Sequence, residues 1–182
     1  MEIVEAIVAA TIEFAHPDIS TNEIAERAGV GVASLYRYFP NRGAIFAEIS
    51  RRLHRQAILE LRDVFGTPGL TVEEAVSRCC SVIVGGSEVS RELRECLNLL
   101  VPSSWSHDSA KEMFEEVLEL ITSWLQANLP DPPEDLADRV FCIVGSARGV
   151  VVLAMISGDL APTNEQLIGM LTRQTLAGLT KK

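Results

Sequence analysis

The chain has 182 residues, 47% of them hydrophobic, and a formal net charge of −9. That length suffices for one or two small domains with a sizeable core. The longest wholly apolar run, residues 150–156, falls far below the roughly 20 residues of a membrane span, and the acidic, amphipathic N-terminus does not read as a signal peptide. A cytoplasmic protein without a membrane partner is expected.

Every segment reads as helix, and strand patterns are absent. The expected fold class is therefore all-α, with about nine helices. A first helix is predicted over 2–15, with Ile3, Ile7, Ala10 and Phe14 on one stripe, ending at His16-Pro17-Asp18. Ser20 and Glu23 fit a capping box for the next helix: the serine accepts from the N–H of Glu23, and Glu23 reaches back to the N–H of Ser20. Ile24, Ala25 and Ala28 give this helix a small apolar face, and Gly29 stands where a left-handed residue ends it. A further helix starts near Val32, with Leu35 and Phe39 as its buried seam. Ser34, Tyr36, Arg37 and Tyr38 then point elsewhere, and all can hydrogen-bond phosphates or bases. Two short helices around a glycine, the second bearing aromatic and basic side chains, describe a helix-turn-helix.

The fourth helix is predicted over about 41–65, with Asn41 as N-cap and apolar positions Ile45, Ile49, Leu53, Ala57, Leu61 and Val64. At about 24 residues it would span some 36 Å, long enough to link a head to a body. Gly66-Thr67-Pro68-Gly69 reads as a linker, and Thr71 caps a helix over 72–84 that ends at Gly85-Gly86. A sixth helix is predicted over 88–100, and Pro102-Ser103-Ser104 interrupts the chain. The seventh, over 108–128, carries the apolar stripe Phe114, Val117, Leu118, Ile121, Trp124 and Leu125. The eighth, over 134–157, is apolar all round from Val140 to Ile156 except at Gly145, Ser146, Arg148 and Gly149, which predicts burial on all sides, against its own domain and a second subunit. Gly145 and Gly149 would admit a neighbouring backbone. The ninth, over 164–180, sets Leu167, Met170, Leu171 and Leu179 on one side.

Ile24-Ala25-Glu26-Arg27-Ala28-Gly29-Val30 and Leu35-Tyr36-Arg37-Tyr38-Phe39-Pro40-Asn41-Arg42 resemble the N-terminal domain of the TetR/AcrR family of bacterial repressors, whose pattern runs I-A-x-x-A-G-V, four residues, then L-Y-x-[HY]-F-x-[ND]-[KR]. The likeness covers roughly Ile3 to Ile49. The family usually carries basic residues before its first helix, whereas this chain opens Met1-Glu2-Ile3-Val4-Glu5. It also usually has an acidic residue or other helix former where Gly43 stands here, and glycine in a helix costs up to about 1 kcal/mol relative to alanine. The resemblance implies a helix-turn-helix domain over 1–48 and a larger helical ligand-binding and dimerisation domain over 49–182. It further implies a homodimer through helices eight and nine, double-stranded DNA with a near-palindromic operator as partner, and a small-molecule effector.

The net charge of −9 hides an asymmetry. Residues 27–55 hold Arg27, Arg37, Arg42, Arg51, Arg52 and Arg55 against Glu48, or 6 − 1 = +5, so the remainder sums to −14. Phosphate binding depends on the field within roughly 8–10 Å, so a basic head on an acidic body remains compatible with DNA.

By family correspondence, Tyr36, Tyr38 and Arg42 are expected to hold phosphates. Thr21 and Asn22, opening the first helix of the motif, are expected to do likewise, with Asn41 beside Arg42. Val32, Ala33 and Ser34 would enter the groove first and read bases, with Arg37 a partner for guanine. For the effector, the resemblance points to Cys80, Val84, Leu97, Trp105, Phe114, Leu118, Trp124, Phe141 and Arg148, each of which core packing explains equally well. A guanidinium at Arg148 amid Val144 to Val152 needs an anion, carbonyls or solvent.

Among Cys79, Cys80, Cys96 and Cys142 there is no C-x-x-C pair, so buried inert thiols are expected, with a thiol sensor as the lesser alternative. His16, His54 and His107 lack metal spacing, and no glycine-rich phosphate loop occurs. No catalytic residue, metal or cofactor is expected. An architectural DNA-binding protein without effector is the other alternative, which a body of over 100 apolar-rich residues disfavours.

Overall fold

The computed structural model describes residues 2–84, 89–100 and 103–180, without the side chains of Arg91, Asn98, Leu99, residues 103–110, Met155 and Asp159. Among the described residues there are nine α-helices and no strand, so the fold is all-α: α1 (Glu2–Glu13), α2 (Thr21–Arg27), α3 (Val32–Tyr38), α4 (Arg42–Gly66), α5 (Val72–Val84), α6 (Arg91–Leu100), α7 (Ser103–Asn128), α8 (Leu136–Ser157) and α9 (Asn164–Leu179), with a 3-10 turn at Gly158–Leu160.

The helix ends follow local chemistry. Ser20 caps α2 by accepting from the backbone N–H of Glu23 at 3.1 Å. The reciprocal half of the expected capping box is not made: the Glu23 carboxylate turns to His16 at 3.3 Å and Arg27 at 3.7 Å, which compete with the amide. Gly29 has φ +65°, the left-handed conformation that ends α2 and that any other residue adopts only with strain. The Asn41 side chain accepts from the N–H of Ala44 at 2.9 Å and starts α4. Thr71 and Glu74 make a complete capping box for α5, as do Thr163 and Gln166 for α9. α7 begins at Ser103, five residues before the position read from its apolar stripe, directly after Pro102. Gly85 and Gly86, predicted to separate α5 from α6, and Glu88, predicted to open α6, lie outside the described residues.

The chain packs as two units: residues 1–55 with 89–111, and residues 56–88 with 112–182. In the first, Ile7, Ile19, Ile24, Leu35, Ile45 and Phe46 are fully buried, and α6 adds Leu93 and Cys96 to the same core. Leu35 and Phe39 form the inner seam of α3. In the second, Val76, Cys80 and Val84 of α5 meet Leu125 of α7, Val140 and Val144 of α8, and Leu167, Leu171 and Leu179 of α9.

One expectation for this second core requires correction. Met170 is 52% exposed rather than inward, since it sits at the flank of the α9 stripe that carries Leu167 and Leu171, about 100° round the helix from Leu171. α8 is not buried all round within one chain: Phe141, Leu153 and Ile156 are 65%, 63% and 77% exposed, while Val140, Val144 and Ala147 face inward. An α-helix in a single packed layer has one inner stripe, and apolar residues beyond it remain uncovered. A Cβ built on Gly145 or Gly149 meets nothing within 4 Å, so packing inside this chain does not call for glycine at either place.

Candidate nucleic-acid interface and body cavity

α3 is seven residues long and anchored from one side. With Leu35 fully buried and Phe39 closing the seam, the helical period directs Val32, Ala33, Tyr36 and Arg37 outward, and all four are exposed. Ser34 is half-buried, and Tyr38 and Asn41 are exposed at the far end. The Tyr36 and Thr21 hydroxyls lie 2.9 Å apart, which couples the middle of α3 to the first turn of α2. Asn22 is exposed next to Thr21. The result is a surface of hydroxyls, two amides and one guanidinium, flanked by the small side chains of Val32 and Ala33.

Arg42 stands apart. Its Nη1 donates to the carbonyls of Pro17 and Ile19, both at 3.0 Å, so its guanidinium ties the α1–α2 connection to the start of α4. Much of the local positive charge is likewise committed inside the fold. Arg52 bonds Glu5 and Glu48 at 2.7 Å each, Arg51 bonds Glu48 at 2.7 Å, and Arg27 lies over the Phe14 ring, 4.1 Å from its centroid, beside Glu23. Glu5 comes from α1, outside the window over which the charge excess was counted. Arg37 and Arg55 are the exposed arginines of that window without an ion pair among the described residues.

The second unit holds a partly open cavity of about 40 Å³ lined by residues of α4, α5, α7, α8 and α9. Of the residues proposed from sequence, Cys80 and Trp124 line it. Val84, Phe114 and Leu118 belong to the surrounding core without lining the cavity, and Leu97 packs in the other unit. Phe141 and Arg148 are exposed, the Arg148 guanidinium resting 5.6 Å from the centroid of Phe114. The Trp105 side chain lies outside the described residues. Sequence reasoning missed Phe65, Cys79, Ile143, Val144, Ala147 and Thr175. The α8 members recur with Val140 at 140, 143, 144 and 147, a helical stripe that the all-apolar run concealed.

Burial pushes the Cys79 thiol up to about 12, with the neighbouring Cys80 adding to the effect. Burial also raises Cys80, against the pull of the Thr172 and Thr175 hydroxyls. Cys96 is raised too, chiefly by burial. No group of three potential metal ligands occurs among the described residues.

A short helix held from one side, with hydroxyl and guanidinium groups on its free face and a glycine-ended helix across its back, defines the helix-turn-helix class of DNA-binding domain. Residues 3–49 match the family described as bacterial regulatory proteins, tetR family. That stretch is similar to the DNA-binding domain of this family, and the whole chain shares its fold with solved proteins described as tetR-family regulators. The fatty acid degradation regulator FadR from Bacillus halodurans is similar at 18% identity, covering 98% of each chain with a TM-score of 0.72. FadR from Bacillus subtilis, solved in complex with stearoyl-CoA, is 18% identical over 99% of each chain, with a TM-score of 0.70. A tetR-family regulator from Streptomyces coelicolor is 17% identical over 97% of this chain and 80% of that one, with a TM-score of 0.74. No curated protein matches the sequence. No helix among the described residues is long and apolar enough to cross a membrane.

Proposed function

We propose that this protein is a cytoplasmic, homodimeric transcriptional repressor, divided by function at about residue 48, that leaves a near-palindromic operator when a small, largely apolar molecule enters its body. The observation that carries the DNA-binding half is the free face of α3. Tyr36, Tyr38, Thr21, Asn22 and Asn41 offer neutral donors to phosphate oxygens, and Val32, Ala33, Ser34 and Arg37 reach the base edges. Arg42 acts first as an internal tie that holds this face in place.

The dimer reading rests on α8 and α9. Phe141, Leu153, Ile156 and Met170 are large, apolar and more than half exposed. Large apolar side chains left exposed in this way support an interaction face, and a two-fold axis lets one such face cover itself. Two half-sites about one DNA turn apart, roughly 34–36 Å, then match the dimer. The effector reading rests on the cavity, and the stearoyl-CoA complex of the Bacillus subtilis relative is a parallel for it. A ligand that prefers a state with different head spacing shifts the population off DNA.

Selection of duplexes from a random-sequence pool by the purified protein tests the reading. Enrichment of an inverted repeat, with affinity falling steeply as salt rises, is the expected result. A pool that emerges unenriched would overturn it.

A further inference from the structure

α8 and α9 are joined at one end by the turn at Gly158–Leu160, and the capping box of Thr163 with Gln166 fixes where α9 starts. At 16 residues, α9 runs about 24 Å from that point. A tilt of about 10° at the turn would carry its far end by about 4 Å. Apolar packing at this far end is incomplete, because Thr175 and Leu179 border the body cavity. Directional bonds complete it. Arg139 of α8 donates from Nη1 to the carbonyls of Gly178 and Thr180, both at 3.0 Å. Its Nε donates to Asp135 at 2.7 Å, one turn earlier in the chain. That bond holds the Asp135 carboxyl below its ordinary 3.8, so the anion that aims the guanidinium persists at neutral pH. The last carbonyls of a helix have no partner within it and carry partial negative charge, which a guanidinium answers. Ile143 packs at the same place, with its Cδ1 3.4 Å from the position that a Cβ on Gly178 would take.

The tie bears on the outward side of this hairpin. Gly145, Gly149, Leu153 and Ile156 recur at three- and four-residue steps on the side of α8 opposite Val144 and Ala147, and all four are exposed. Met170 and Ala177 are exposed on α9. A face built from two helices covers its own copy about a two-fold axis only when the helices keep one mutual position. Close packing tolerates errors far smaller than the displacement that an untied α9 would allow.

We infer that Arg139 is a positioning residue for self-association: its guanidinium fixes the end of α9 against α8 and so sets the shape of the face that a second copy of the chain covers. The inference rests on the reading of α8 and α9 as the dimer face.

Sedimentation equilibrium of the full chain, with helix content followed by circular dichroism, tests it. Arg139→Ala should weaken the dimer by at least about tenfold while helix content stays at the parent level. Arg139→Lys should return to within about threefold of the parent, because one Nζ can donate to both carbonyls as Nη1 does. A side chain that served only the stability of the fold would leave the dimer constant unchanged well below the melting temperature. A parent-like dimer in Arg139→Ala therefore overturns the inference, as does Arg139→Lys dimerising as weakly as the alanine variant. If Arg139→Ala loses helix content, Asp135→Asn decides. It keeps the carbonyl bonds but frees the guanidinium to swing, and should weaken the dimer by about threefold. Parent-like dimerisation of Asp135→Asn would then be the overturning result. Leu153→Glu separates all this from the dimer reading. A monomeric parent, or a dimer that Leu153→Glu leaves intact, ends that reading and the inference with it. A dimer split by Leu153→Glu and untouched by Arg139→Ala ends the inference alone.

Discussion

The hydroxyls of Thr21 and Tyr36 lie 2.9 Å apart, joining the first residue of α2 to the centre of α3. Fifteen residues of chain separate them. On the proposed reading, in which both groups bind phosphate, the contact holds them in one place, so part of the ordering that binding requires is complete before DNA arrives.

Thr21→Val and Tyr36→Phe should each weaken operator binding by roughly 3–10-fold, equally for specific and random duplexes, because phosphates carry no base identity. Their effects should be less than additive, as both break the same contact. Arg37→Ala should instead relax preference at one base pair, by about 1–3 kcal/mol. Fluorescence anisotropy on operator and scrambled duplexes measures all three. Unchanged affinity in both hydroxyl variants would remove α3 from the groove.

Arg42→Ala should lower stability, because the carbonyls of Pro17 and Ile19 lose a charged donor. The expected cost is about 1–3 kcal/mol, or roughly 3–10 °C in melting temperature. The loss of DNA affinity should track this loss of order. A variant that melts like the parent but binds DNA poorly would return Arg42 to direct phosphate contact.

The N-terminal motif was legible because each position answers a local demand. Gly29 supplies a positive φ, Ser20 and Asn41 cap, and Leu35 and Phe39 set which side of α3 is free. The partners of Arg42 and Glu23 were not legible, since they depend on where a distant carbonyl or a neighbouring histidine arrives in space. The cavity wall was harder still. Periodicity finds an inner stripe such as 140, 143, 144 and 147, but a void is what packing leaves unfilled. Phe114 and Val84 therefore fill core while Phe65 and Thr175 border the space.

Leu153→Glu or Ile156→Glu should convert a dimer into monomers at micromolar concentration without lowering helix content. Both side chains are exposed in the single chain, so a carboxylate there costs the fold little and the apolar face a great deal. Sedimentation equilibrium reads the result. A parent protein that is already monomeric at that concentration would assign this face to some other partner.

The Glu5–Arg52–Glu48–Arg51 network predicts an acid limit for the junction of α1 with α4. Hydrogen bonds from Arg51, then Arg52, hold the Glu48 carboxyl below its ordinary 4.5, outweighing burial, and the Arg52 hydrogen bond does the same for Glu5. A depressed folded-state pKa contributes stability that is complete above the unfolded value of 4.5 and is lost as pH falls through the lower folded value. Glu48→Gln should therefore cost under about 1 kcal/mol at neutral pH, with the gap to the parent closing in acid. Melting temperatures over an acid series check this, and a gap that widened below 4.5 would reverse the assigned sign.

Thiol chemistry should be confined to one position. Cys79, Cys80 and Cys96 are buried and their thiols are raised, Cys79 to about 12, so the nucleophilic thiolate is scarce at neutral pH. Cys142 is exposed on α8, next to Phe141 on the uncovered side of the helix. In the native protein a water-soluble alkylating reagent should modify Cys142 alone, and dimerisation should slow that reaction if α8 meets its copy there. Unfolding should release the other three. Operator binding should survive mild peroxide, and a Cys142→Ser variant should be indifferent to it. Rapid native labelling of Cys79 or Cys80, followed by loss of DNA binding, would restore the thiol-sensor alternative and place its chemistry inside the cavity.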